Sequence, residues 1–157
     1  MKHLRKFNES DNTMLDSNNI GDILLDIIDI GYRCHVTTNW WDDGDNNIVV
    51  VIYGIEEFDK RFDCNVDYIY IDQVIETIDR LFDYLKSEGY EPEISSIKKV
   101  EVIKQDPETF GIKDRNKESG EIKKKIGQCD QVVFRYDNEK KKWKISGSIG
   151  LGFSKKH

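Results

Sequence analysis

Residues 142–153 read KWKISGSIGLGF, and the large apolar side chains of this stretch fall on odd-numbered positions. Successive side chains of a β-strand point to opposite faces, so the spacing predicts a strand with one apolar face. That face is formed by Trp143, Ile145, Ile149, Leu151 and Phe153. Together with Gln131–Tyr136 and the charged turn between them, the stretch predicts a β-hairpin at the end of the sequence.

The opposite face of this strand carries only small side chains from residue 146 onward. Small side chains let another strand or a helix approach closely. A flat, glycine-rich strand at a sheet edge also invites a partner strand. The candidate interface residues on this face are Ser146, Ser148, Gly150 and Gly152. The alternative is that a helix of the same domain covers them.

Two segments upstream have the apolar spacing of amphipathic helices, Ile20–Ile30 and Gln73–Ser87. In the first, the side away from the apolar residues carries Asp22, Asp26 and Asp29. The other apolar runs predict strands at Tyr32–Asn39, Asn47–Tyr53 and Tyr68–Ile71, and an extended stretch from Tyr90 through Ile94–Lys104.

These elements predict an α+β fold, with two helices packed on one face of a mostly antiparallel sheet of about five strands. Residues 17–157 form the single domain, and residues 1–16 form a polar N-terminal arm. Residues 106–130 are Lys-rich and without pattern, which predicts a long loop. The predicted core consists of Ile23, Leu24, Ile27, Val50, Ile52, Ile78, Leu81, Phe82, Leu85, Phe134 and Ile149.

Charge is distributed unevenly along the sequence. Residues 1–97 contain 8 Lys and Arg against 21 Asp and Glu, whereas residues 98–157 contain 16 against 9. Such asymmetry bears on partners rather than on fold. The acidic helix faces can meet a basic neighbour or imitate the phosphates of DNA, and the lysine clusters can attract nucleic acid locally. Both interpretations require that the two signs occupy separate surfaces.

Arg33, His35 and Thr37 point to one side of a predicted strand, and together they are candidates for binding a phosphate group. The tripeptide at 35–37 resembles half of the paired H-x-T motif of the two-histidine phosphoesterases. Those enzymes need a second copy of the motif, because one histidine is the acid and the other the base. The other histidines, His3 and His157, are not in such a motif. A polar outward face of a half-buried strand is the alternative.

Trp40 and Trp41 stand beside a turn-rich stretch and are candidate interface residues, since aromatic side chains often anchor interfaces; core packing is the alternative. The three cysteines, Cys34, Cys64 and Cys129, are widely spaced and lack a C-x-x-C pattern, which favours a reducing compartment. The sequence predicts no cofactor, no metal site and no catalytic residues. No apolar run reaches the roughly 18 residues of a membrane span.

The opening residues, MKHLRKFNES, resemble a leader found on small, mostly uncharacterised proteins of tailed bacteriophages. The segment Asp22–Tyr32 is also similar to short segments of such proteins. The resemblance implies a viral origin and a role in the particle, in its assembly or in host interference. It implies neither a fold nor a site.

The leading hypothesis is therefore a non-enzymatic structural or assembly protein of phage type that acts through protein contacts. Its partners would be virion proteins or other copies of itself, and its location the cytoplasm of a host cell or the virion. A host-directed inhibitor that mimics DNA is the second hypothesis. A phosphate-ligand binder or phosphoesterase around His35 is the third.

Overall fold

The computed structural model describes residues 17–38, 47–107, 115–116, 121–128 and 130–155. These residues form three helices, α1 (Ser17–Ile30), α2 (Ile71–Ser87) and α3 (Ile94–Lys104). They also form ten strands, β1 (Arg33–Thr38), β2 (Asn47–Tyr53), β3 (Ile55–Asp59), β4 (Cys64–Tyr70), β5 (Tyr90–Pro92), β6 (Arg115–Asn116), β7 (Glu121–Lys125), β8 (Gln131–Asp137), β9 (Lys142–Ser146) and β10 (Ser148–Lys155). The predicted arm, Trp40 and Trp41 lie outside the described residues.

The strands form two antiparallel sheets rather than the single sheet that the sequence predicts. One has four strands in the order β1-β2-β10-β5, and the other has six in the order β3-β4-β9-β8-β7-β6. The α+β class is confirmed, but the expectation of one five-stranded sheet and two helices is wrong in detail. The difference arises because two long extended stretches, residues 47–59 and 142–155, each contribute one strand to each sheet.

The two sheets meet where Gly54 and Gly147 interrupt these stretches. Gly54 separates β2 from β3, and Gly147 separates β9 from β10. A Cβ atom on Gly54 would lie 2.7 Å from the Tyr68 nitrogen and 2.9 Å from the Gly147 oxygen, so a side chain does not fit there. Gly147 has a φ of +98° and donates its N–H to the Asp67 carbonyl at 2.9 Å. The predicted strand 142–153 therefore bends at Gly147, although the β8–β9 hairpin is confirmed.

The core lies between the helices and the apolar faces of both sheets. Nine of the eleven predicted core residues are buried, and the other two, Ile23 and Phe82, are half-buried against the core. The alternation predicted for residues 142–153 persists through the bend, because Ile145 in β9 and Leu151 in β10 both face this core. No helix in the described part of the chain is long and apolar enough to cross a membrane.

Two sequence predictions about the second half of the chain are wrong. Ile94–Lys104, predicted as extended, forms α3, which buries Ser96, Val100, Val102 and Ile103. Ser96, Val100 and Ile103 have helical spacing, but the first of these positions is polar while Ile94 and Ile97 are exposed, so the apolar residues alone do not mark the buried face. Within the predicted loop 106–130, Glu121–Lys125 forms β7 against β8. Its single fully buried apolar residue, Ile122, is too little for an alternation to show.

Candidate functional site

The acidic and basic parts of the sequence are joined by ion pairs in the folded protein. Lys104 Nζ lies 2.6 Å from Asp79, and Lys142 Nζ lies 3.2 Å from Asp72, both on α2. Within the acidic part itself, Asp26 of α1 lies 2.5 Å from Arg80 of α2. These cations lie among the acids of the helices, which weakens the separate charged surfaces that the sequence hypothesis requires. Asp22, Asp26 and Asp29 are nevertheless exposed on α1.

The outer face of the four-stranded sheet brings together two groups of residues that the sequence singled out separately. Arg33 of β1 pairs with Tyr53 of β2, and Tyr53 pairs with Ser148 of β10. The next two rows of the sheet are His35–Val51–Gly150 and Thr37–Val49–Gly152. Arg33 and His35 are exposed, and the Arg33 guanidinium lies 5.5 Å from the centre of the Tyr53 ring. Arg33, His35 and Thr37 thus occupy alternate positions of β1, and their role in binding a phosphate group stays a prediction.

β10 is not an edge strand, because β5 and α3 occupy its second side. The Gly152 N–H donates to Ser96 Oγ at 2.8 Å, and the Gly152 carbonyl accepts the Glu93 N–H at 2.9 Å. Lys99 Nζ donates to the Gly150 carbonyl at 2.9 Å. A partner strand therefore cannot add to β10 along Gly150–Gly152. Ser146 lies in β9 of the other sheet, apart from Ser148 and the two glycines.

The β3–β4 hairpin curls over the polar face of the six-stranded sheet. In a flat sheet, β3 and β8 would lie about 14 Å apart, three strand spacings. The Tyr70 hydroxyl nevertheless lies 2.6 Å from a Glu57 oxygen of β3 and 3.1 Å from an Asp137 oxygen of β8. Phe62, in the turn of the hairpin, places its ring 4.5 Å from the Arg135 guanidinium carbon. We name the polar side chains in and around this enclosed space the charged cluster: Glu57, Asp59, Arg61, Tyr68, Tyr70, Glu121, Arg135, Asp137, Lys140 and Lys144.

Lys144 is the central cation of the charged cluster. Its buried ammonium lies 3.1 Å from Glu57, 3.3 Å from Asp137 and 4.0 Å from the centre of the Tyr68 ring. Burial raises the pKa of Asp137, but hydrogen bonds from the Lys140 backbone and from the Lys144 and Tyr70 side chains outweigh this and lower it to about 2. The cluster therefore holds Asp137 ionised in a place where water is scarce.

Asp59 makes the second set of contacts in the charged cluster. It accepts hydrogen bonds from the Arg61 side chain at 3.0 and 2.7 Å and from the Tyr68 hydroxyl. The Arg61 hydrogen bond, aided by that from Tyr68, holds the pKa of Asp59 well below its usual range. Burial and the hydrogen bond to Asp59 raise the pKa of Tyr68 to about 12. In this pair Asp59 is therefore ionised and Tyr68 is a neutral phenol.

Each carboxylate of the charged cluster contacts a cation, and most also contact a tyrosine. Arg135 is buried and donates to Glu121, while its Nε and Nη1 have no hydrogen-bond partner in the described part of the chain. Within that part, no group of three or more His, Cys, Asp or Glu side chains is arranged to hold a metal ion. The contacts of the charged cluster hold the β3–β4 hairpin against β8 and β9. The sequence predicts no strand at Glu57 or Asp59, and the lysines that contact Glu57 lie more than 80 positions away along the chain.

A second feature that the sequence did not predict is a groove between α2 and α3 that is lined by both apolar and charged side chains. Its lining includes Phe82, Lys86, Pro92, Ile97 and Val100. Next to it, at the start of β5, lies a hollow of about 630 Å³, whose lining includes Tyr90, Pro92 and Ile97. In the first turn of α3, Ile94 is 74% exposed and Ile97 is 39% exposed, whereas Ser96 between them is 3% exposed. We name Ile94, Ile97 and this lining the α3 surface.

Comparison of the chain with protein-family models, curated proteins and solved structures gave no match.

Proposed function

We propose that this chain acts through protein–protein contacts rather than catalysis, and that the α3 surface makes the contact. The observation that carries the proposal is the polarity of the first turn of α3, where Ile94 is exposed and Ser96 is buried. Helices of soluble proteins normally bury isoleucine and expose serine. Departures from such local rules are expected at functional sites.

Polar contacts fix the orientation of α3. The exposure of its isoleucines is therefore a consequence of the fold. The Ser96 hydroxyl accepts the Gly152 N–H, and the Lys99 ammonium reaches the Gly150 carbonyl. These contacts satisfy the backbone of β10 along the part of its second side that β5 does not cover. Turning α3 to bury Ile94 would break both of them. The fold therefore keeps Ile94 and Ile97 on the outside.

The other candidate surfaces are weaker candidates for a functional contact, which favours the α3 surface. The charged cluster is internally neutralised, with carboxylates such as Glu57 and Asp137 already held by Lys144. The acidic sides of α1 and α2 carry ion pairs with Arg80 and Lys104, which makes them a poorer imitation of DNA. The exposed His35 lies on an open sheet face. The resemblance to tailed-phage proteins stays a prediction, and it would place the partner among virion or host proteins.

The proposal is tested by affinity capture with matched surface variants. Tagged wild-type protein, the double variant Ile94→Asp/Ile97→Asp, and the control Phe58→Asp are each incubated with lysate of the cells that produce the protein. Phe58 is a fair control because it is exposed and lies on β3, in the other sheet. Retained proteins are quantified by mass spectrometry. We expect the double variant to lose at least one specific protein that the wild type and the control retain; equal capture by all three would overturn the proposal.

A further inference from the structure

We infer that the occupant of the α3 surface is a basic amphipathic helix of a different protein, with its apolar side in the groove between α2 and α3. This inference rests on the proposed function and states the chemistry of the partner. The groove, of about 460 Å³, adjoins the hollow at the start of β5, because Lys86, Pro92 and Ile97 line both. We name the two together the extended groove. It follows the C-terminal half of α2.

The lining of the extended groove is acidic. It contains four acids and two lysines, namely Asp79, Asp83, Glu91, Glu101, Lys86 and Lys104. Lys104 already pairs with Asp79 at 2.6 Å. Asp83 and Glu101 are exposed, and neither makes an ion pair with a residue in the described part of the chain. A cation that enters the groove therefore meets a carboxylate on each helix, Asp83 on α2 and Glu101 on α3.

The spacing of the acids on α2 also favours a cation from outside. Asp79 and Asp83 are four positions apart, so their carboxylates are neighbours on one side of the helix and repel each other. Lys104 offsets the charge of Asp79, and a lysine or arginine of a partner beside Asp83 would relieve the remaining repulsion. The same acids would repel nucleic-acid phosphates, anionic lipid headgroups and a second copy of this lining.

The walls of the extended groove favour a helix over an extended peptide. Phe82, Ile97 and Val100 supply apolar surface, whereas the backbone groups of α2 and α3 are hydrogen-bonded within their own helices. β5, which also lines the groove, has only three residues and ends at Pro92, so it offers little edge to a partner strand. A helix satisfies its own backbone and can place apolar residues from successive turns in such a groove.

The inference is tested by selection from a peptide library that fixes the apolar side of a helix and leaves its charge open. The displayed peptides are about 14 residues long, which allows an isolated helix to form. They carry leucine at the spacing i, i+3, i+4 and i+7 and a random choice of Lys, Glu or Gln at the other positions. The full chain is the target, and the selected sequences report which charge it prefers.

Two double variants with the same change in net charge are targets in parallel. Asp83→Lys/Glu101→Lys changes the extended groove, whereas Asp22→Lys/Asp29→Lys changes exposed acids of α1 that do not line it. Far-UV circular dichroism checks that both are folded. We expect the wild type and the α1 variant to select Lys over Glu, and the groove variant to lose this preference. In a fluorescence anisotropy titration, the best selected peptide should bind the groove variant at least about tenfold more weakly than the wild type, and the α1 variant within about twofold.

Three results would overturn the inference: no selected peptide, no preference for Lys, or a preference that the groove variant keeps or the α1 variant loses as well. The last would indicate a general attraction to an acidic chain. If capture from lysate still depends on Ile94 and Ile97 in any of these cases, the proposed function stands and only the chemistry of its partner is wrong. Capture that does not depend on these isoleucines would remove the proposed function and, with it, the inference.

Discussion

The Lys144 ammonium of β9 lies 3.1 Å from the Glu57 carboxylate of β3, which is not a neighbouring strand of β9 in the sheet. This ion pair joins the β3–β4 hairpin to the sheet that it covers. The Lys144 side chain is 8% exposed and the Glu57 side chain is 27% exposed, so the cation is the more buried partner. Buried ion pairs do little for net stability when intact, but removing one partner is costly.

The first prediction concerns this ion pair. Lys144→Met keeps the aliphatic stem but removes the charge, which leaves Glu57 and Asp137 as close acids without their shared cation. We expect the free energy of unfolding to fall by about 3 kcal/mol, because an uncompensated buried charge remains. Lys140→Met is the matched control, since Lys140 is exposed and its Nζ lies 3.7 Å from Glu57; its effect should stay within about 1 kcal/mol. Urea denaturation measures both, and equal effects would contradict the prediction.

The second prediction concerns stability in acid. The pKa of Asp137 is about 2 in the folded protein, against 3.8 ordinarily. A carboxyl with a lowered folded pKa adds stability above its unfolded pKa, and this is lost as pH falls from about 4 towards 2. We expect Asp137 to contribute about 2 kcal/mol to that loss. Asp137→Asn should therefore lose less stability over the same window, as measured by urea denaturation at each pH. A fall as steep as that of the wild type would count against the contacts assigned to Asp137.

The third prediction concerns the two cysteines that the structure describes. Burial raises the pKa of the Cys34 thiol to about 12, whereas Cys64 is exposed. Because the thiolate is the reacting form, Cys64 should react with iodoacetamide at least about tenfold faster than Cys34 near neutral pH. Peptide mass spectrometry reads the two sites separately. The Cys64→Ser variant should lose the faster reaction while Cys34→Ser keeps it; comparable rates at both sites would refute the burial of Cys34.

The fourth prediction concerns the junction between the two sheets. Gly54→Ala places a Cβ 2.7 Å from a backbone nitrogen, so the strands must separate to accept it. We expect it to lower the free energy of unfolding by about 2 to 4 kcal/mol. Gly150→Ala is the matched control, because its Cβ would meet no atom within 4 Å; we expect a change within about 1 kcal/mol. Thermal or urea unfolding compares them, and a tolerated Gly54→Ala would mean that the junction can open.

Sequence reasoning succeeded where periodic apolar burial and local structure agree. α1 and α2 were predicted nearly to their ends, and the pairing of β8 with β9 was predicted from the hairpin pattern. It failed for α3, whose orientation is set by polar contacts of Ser96 and Lys99 with β10. No periodicity in the sequence of α3 records those contacts, because they join residues more than 50 positions apart.

The candidate surfaces likewise divide into features that are local in the sequence and features that depend on contacts between distant residues. The sequence placed Arg33, His35 and Thr37 on one face of β1, since alternation along a strand is a local property. It did not show that Ser148 and Gly150 share that face, because register between strands decides this. The α3 surface also escaped prediction, as the exposure of Ile94 depends on what α3 packs against.

By itself the sequence determined the α+β class, two of the three described helices and most of the core, because these follow from the spacing of apolar residues along the chain. The tertiary structure alone decided the split into two sheets, the enclosure of the charged cluster and the outward position of Ile94. The bends at Gly54 and Gly147 and the long-range contacts of Lys144 and Ser96 produce these features. Each depends on residues far apart in sequence, so only the folded chain brings the interacting groups together.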